Sequence, residues 1–138
     1  MKQYLLLFAA LILLASGAVA QTKPIKIVFD LTSGDTLVHQ ATIRHVKGEA
    51  KAHPDGKFEV VIYGGSLNMV VKDKSTVAAG VQELLANKNV SFKVCQETMK
   101  RYKVEKTQLF SGVDTVPDGI VEIVDRQGEG WGYIKEAH

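Results

Sequence analysis

Cys95 is the only cysteine in a chain of 138 residues. It follows the apolar run Val90–Val94, which reads as a buried strand, and precedes Gln96–Tyr102, which reads as a helix. A thiol at that junction meets the unpaired N–H groups and positive end of the helix. Both favour thiolate, the nucleophilic form. Open α/β sheets also bind ligands beyond the carboxyl ends of their strands. Equally, a lone cysteine is often a small buried hydrophobe. Position alone leaves both readings open.

Other residues have types that could do chemistry. Cys95 and Arg101 have the Cys-x5-Arg spacing of a tyrosine-phosphatase anion loop. The five residues between them contain no glycine to turn such a loop, and Glu97 would repel a phosphate. Gly64 and Gly65 follow a strand, where they allow either close ligand approach or a plain turn; they lack dinucleotide-site spacing. Asn68 is a polar group in an apolar stretch, suited to a pocket or to a helix cap. His39, His45, His53 and His138 form no i,i+4 pair and have no cysteine at zinc-ligand spacing, so no metal site is expected. His39, early in the first helix, fits a packing or surface role. Ser33 lies in Thr-Ser-Gly-Asp rather than in a nucleophile elbow, and helix capping accounts for it. No cofactor pattern is present.

The elements that position these residues alternate. Ile25–Leu31 predicts a strand, and Thr36 to Lys51 a helix after the capping turn Thr32–Asp35. Phe58–Tyr63 predicts the second strand. Ser66–Lys74 fits either a short helix or an extended segment. Ser75 is expected to cap a helix carrying Val77, Val81, Leu84 and Leu85, with Gly80 marking close helix packing. Val113–Val116 predicts a short strand. Pro117 should open a helix with Ile120, Ile123, Val124 and Gln127 on one face, stopped by Gly128. Trp131–Lys135 predicts the last strand. This alternation implies a mainly parallel sheet with helices on both faces.

The N-terminus bears on compartment. Lys2, the apolar run Tyr4–Leu14 and the Ala18-Val19-Ala20 site predict a signal peptide over residues 1–20, cleaved after Ala20. Residues 21–138 then form one domain, periplasmic or secreted, with no later segment apolar enough to stay in a membrane. Lys and Arg number 17 against 15 Asp and Glu, and cleavage removes Lys2, so the domain is close to neutral. That balance argues against nucleic acid, which needs a basic face. One cysteine also excludes an internal disulfide.

Four segments in order resemble the DsrE/DsrF-like family of small sulfur-relay proteins, in its exported bacterial branch. They are Lys-Ile-Val-Phe-Asp from Lys26, Phe-Glu-Val-Val-Ile-Tyr-Gly-Gly from Phe58, Val-Ser-Phe-Lys-Val-Cys-Gln-Glu-Thr-Met from Val90, and the stretch from Val116 to Ile134 ending in Gly-Trp-Gly-Tyr-Ile. The resemblance implies a three-layer α/β/α domain with a five-stranded, mainly parallel sheet. It implies homo-oligomers, trimers or hexamers, and a partner protein that donates or accepts sulfur. It implies that Cys95 carries sulfur as a persulfide, and that Gly64, Gly65 and Asn68 flank its pocket and bind ligand. Two departures follow from the sequence. The chain carries an export signal, and no second cysteine can resolve an oxidised Cys95. The alternative expectation is a non-catalytic, oligomeric module that binds a small ligand, with Cys95 as packing.

Overall fold

The computed structural model describes residues 23–137. The expected signal peptide, and His138, lie outside the described residues. Strand β1 (Lys26–Leu31) leads to helix α1 (Thr36–Ala52), then to β2 (Lys57–Ile62) and a 3-10 helix (Gly64–Val70). Helix α2 (Ala78–Leu85), strand β3 (Val90–Cys95) and helix α3 (Gln96–Tyr102) follow. A 3-10 turn (Lys106–Gln108), strand β4 (Asp114–Val116), helix α4 (Gly119–Gly128) and strand β5 (Gly132–Lys135) complete the chain.

The sheet runs β4-β3-β2-β1-β5, and every strand pairing is parallel. The first four strands step outward in one direction, and β5 returns to the free side of β1. Strand order therefore reverses between β1 and β5, where open α/β sheets place ligands.

Side chains alternate across each strand and divide the sheet into two unlike faces. Phe29, Leu31, Phe58, Val60, Ile62, Phe92 and Val94 point to the face covered by α1, α2, α3 and the first 3-10 helix, and join one large core. On the opposite face Val28 and Val61 pack with Ile123 of α4, Tyr63 and Trp131, and Cys95 and Val116 are buried toward the β4 edge. Elsewhere it carries Asp30, Glu59, Ser91 and Lys93, which neighbour Val28, Val61 and Cys95 along their strands. Among the described residues α4 alone covers this side, so the second layer is thin.

Several local expectations change. Residues 66–74 resolve as the end of a 3-10 helix followed by an exposed turn. Ser75 does not cap α2. Its hydroxyl accepts from Val77 N at 3.3 Å, and the helix starts at Ala78. Pro117 does not open α4. Asp118 is the cap, accepting from Ile120 N at 2.8 Å and from Val121 N at 3.4 Å, so the first helical residue is Gly119. On α4 only Ile123 of the expected apolar face is buried; Ile120 and Val124 are 59% and 60% exposed. Gly80 behaves as expected, since a Cβ there would lie 2.7 Å from Ile43 Cγ2 of α1.

Candidate functional site

Cys95 ends β3 and forms the cap position of α3, with extended backbone and no side-chain capping bond. The β3 register places it opposite Val116 and on the thinly covered face of the sheet. It is 6% exposed. Its lid is the start of α4: a Cβ at Gly119 would lie 3.3 Å from each of Cys95 Cβ, Tyr63 Cδ1 and Val61 Cγ1. Glycine is thus the residue that lets α4 settle over the cysteine. The thiol is a buried group roofed by one thin turn, rather than an open one.

Two loops build the wall beside it. Gly64 adopts φ +60°, a conformation L side chains rarely take, and its N–H donates to Thr98 Oγ1 of α3 at 3.1 Å. Gly65 presses against the β1–α1 loop. A Cβ there would stand 3.1 Å from Gly34 N and 3.2 Å from Thr32 O. Ser66 Oγ donates within reach of Leu31 O (2.7 Å) and Tyr63 O (2.8 Å), joining the same loops from beneath. Close loop packing therefore accounts for both glycines. His39 is buried, and its Nε2 lies 2.8 Å from Ser33 O, which anchors the β1–α1 loop. Asn68 projects from the exposed side of its 3-10 helix, between buried Leu67 and Met69. Of the residues expected in a pocket, Gly64 is tied to the helix that Cys95 opens, Gly65 faces the β1 loop, and Asn68 faces outward.

Sequence reading missed the polar cluster at the β1–β5 crossing. Asp30 is buried, accepting from Tyr133 Oη at 2.6 Å and from Lys135 Nζ at 3.1 Å. Lys135 Nζ also donates to Thr32 Oγ1 at 2.9 Å and lies 5.8 Å from the Tyr63 ring centroid. Burial, and then the Asp30 carboxylate, hold the Tyr63 phenol well above its ordinary range. The bond to Asp30, helped by burial, pushes Tyr133 up to about 12. Tyr63 thus touches the polar cluster at one end and the Gly119–Cys95 contact at the other. Its place at the end of β2 was legible, but the cluster joins residues 103 and 105 apart in sequence.

Arg101 does not return over the thiol. Residues 96–101 are helical, so it lies about 9 Å further along the helix axis and is exposed. That geometry rules out a phosphatase loop. Among the described residues, no group of three or more His, Cys, Asp or Glu converges as a metal site requires.

The sequence profile of the DsrE/DsrF-like family matches residues 6–135. The chain belongs to the DsrE/DsrF-like family. Solved structures agree with that assignment. MTH1491 of Methanobacterium thermoautotrophicum, described as a protein of unknown function, is 31% identical, with a TM-score of 0.76 over 80% of this chain and 98% of that one. The ychN protein of E. coli superposes with a TM-score of 0.68 at 13% identity, over 83% of this chain and 99% of that one. BT1422 of Bacteroides thetaiotaomicron, a conserved protein of unknown function, gives 0.68 at 13% over 84% and 98%. The last two likenesses speak for the DsrE-like fold alone. No curated protein matches the chain.

Proposed function

We propose that this DsrE/DsrF-like protein is a periplasmic sulfur carrier that holds sulfane sulfur on Cys95 as a persulfide. The observation that supports the reading is the place of Cys95, at a strand's carboxyl end and a helix's start, in a family of sulfur-relay proteins. In the transfer step the Cys95 thiolate attacks the terminal sulfur of a donor persulfide. The Sγ–S bond forms as the donor's S–S bond breaks, and the electron pair leaves with the donor thiolate. No oxidant is consumed. Handing the outer sulfur to an acceptor thiolate repeats the exchange. Because Gly119 roofs the thiol, the Asp118–Gly119 turn opens when donor or acceptor docks. Gly64, tied through Thr98 to the helix that Cys95 opens, is the glycine nearest this chemistry, while Gly65 packs on the β1–α1 loop and Asn68 faces outward.

Polysulfide treatment followed by mass spectrometry tests this. The folded protein should gain one sulfur on Cys95, removable by a thiol reductant and absent in Cys95→Ser. No gain on a folded chain would sink the carrier reading. Export is tested separately, since protein from the periplasmic fraction should begin at Gln21.

The burial of Cys95 favours a second reading, in which the protein is a non-catalytic oligomeric binding module and the cysteine is packing. An unreactive thiol, with Cys95→Ser unchanged in assembly, would favour it. In both readings the self-association surface is α4 with the β5 edge, where Ile120, Val121, Val124 and Ile134 are exposed. Ile120→Lys with Val124→Lys should then reduce the oligomer seen by light scattering.

A further inference from the structure

We propose that the groove between α3 and β4 binds a small organic anion with an apolar body, independently of Cys95 chemistry. The groove has a volume of about 480 Å³ and is bordered by Gln96, Met99, Lys100, Lys103, Lys106 and Thr115, among others. That size lies in the range of small-molecule sites.

Its floor follows from how α3 ends. Lys103 N–H donates to Lys100 O at 3.2 Å, and Val104 N–H donates to Met99 O at 3.0 Å. This is the Schellman pattern, in which the residue after the turn packs on the residue three before the cap. Here those residues are Val104 and Met99, both buried and both lining the groove. These bonds occupy the carbonyls of Met99 and Lys100 near the end of α3.

Its rim carries an excess of positive charge, Lys100, Lys103 and Lys106 against the single carboxylate of Glu105. Lys103 holds φ +53° at the position where glycine is usual, and is the only non-glycine residue with positive φ among the described residues. A lysine there is the less stable backbone choice. Among the described residues neither Lys103 nor Lys106 makes an ion pair or a side-chain hydrogen bond. Lys100 is bonded to Glu97 at 2.6 Å, and the Glu105 carboxylate is engaged in a capping box with Gln108. Gln96 Nε2 donates to Thr115 Oγ1 at 3.1 Å and closes the wall toward β4. Three further depressions, of about 410, 400 and 370 Å³, carry one lysine or arginine each. Two free ammonium groups over a compact apolar floor select a molecule with one anionic end and one short apolar end. An extended acidic peptide would leave that floor uncovered.

The test is an NMR titration of the full chain with octanoate, using octanol and acetate as probes that lack the charge or the body. Octanoate should shift the Met99 and Val104 methyls and the 103–106 amides saturably, about tenfold more tightly than either control. Lys103→Gln with Lys106→Gln should weaken it about tenfold, and added salt should weaken it further. Lys103→Gly relaxes the turn while removing one charge, so weaker octanoate binding in that variant reads charge rather than unfolding. Equal binding of octanol, equal binding of acetate, or shifts confined elsewhere would overturn the proposal. So would a glutamate-rich peptide that occupies the groove more tightly than octanoate.

Discussion

Gly119 rests closely on Cys95: a Cβ at 119 would stand 3.3 Å from Cys95 Cβ, tighter than an ordinary contact. The same added carbon would meet Tyr63 and Val61 at 3.3 Å. Val61 and Cys95 are held in β2 and β3, so the helix start is the part that yields. Gly119→Ala should therefore tilt the first turn of α4 and change the iodoacetamide alkylation rate of Cys95 several-fold. The expected cost is about 1 kcal/mol, at the low end for overpacking. An unchanged rate with unchanged stability would mean that α4 does not roof the thiol.

Beside Asp30, a second buried acid on the same face is Glu59, 2% exposed. Arg126 Nε donates to it at 3.0 Å, and Ser91 Oγ at 3.2 Å. Burial raises the Glu59 pKa above 4.5, and Arg126 opposes that rise. A carboxyl raised on folding favours the native state fully below its unfolded pKa. That contribution is lost as pH climbs through the folded value. Arg126→Met removes the opposing charge and should cost about 3–5 kcal/mol at neutral pH. The penalty should shrink in denaturant melts as pH falls and Glu59 takes up a proton. A penalty independent of pH would place the role of Arg126 in its stacking on Trp131, whose ring centroid lies 5.1 Å away.

What the sequence discloses follows from how local each signal is. Cys95 was placed at its strand–helix junction because an apolar run changes directly into a helical pattern there. The parallel sheet followed from alternating elements of ordinary length. The helices start at Ala78 and Gly119, a few residues later than Ser75 as a cap and Pro117 as a first helical residue imply, because a neighbouring turn and the Asp118 cap take those places. The outward side of α4 was misread for a different reason. An apolar stripe has the same periodicity whether it meets a core or solvent. The cluster of Asp30, Tyr133 and Lys135 exists only once β5 pairs with β1, a contact no local pattern announces.

Gly80 offers a test of helix packing against helix propensity. Alanine is favoured by about 1 kcal/mol within a helix. Its Cβ would nonetheless stand 2.7 Å from Ile43 Cγ2, well inside contact distance. Gly80→Ala should destabilise the protein by about 1–3 kcal/mol. Ile43→Ala removes the clashing group, so Gly80→Ala made in that background should be neutral or stabilising. If the alanine costs the same in both backgrounds, α1 and α2 do not meet at this pair.

The tyrosine cluster gives a direct reading of the β1–β5 crossing. Tyr133 is pushed up to about 12 by its bond to Asp30, from an ordinary value of 10.0. Tyr63 is raised by burial and by the same carboxylate. Both phenols are bound more tightly to their protons when folded. Their contribution to stability is present below pH 10 and falls as pH climbs toward 12. An ultraviolet titration should accordingly show two phenols that ionise late in the folded protein and normally after denaturation. Asp30→Asn keeps an acceptor but removes the charge, and should draw both midpoints back toward 10.0. Tyr133→Phe should remove one late phenol and leave the other. If both persist in that variant, the Asp30 carboxylate is not the group that links β5 to the wall beside Cys95.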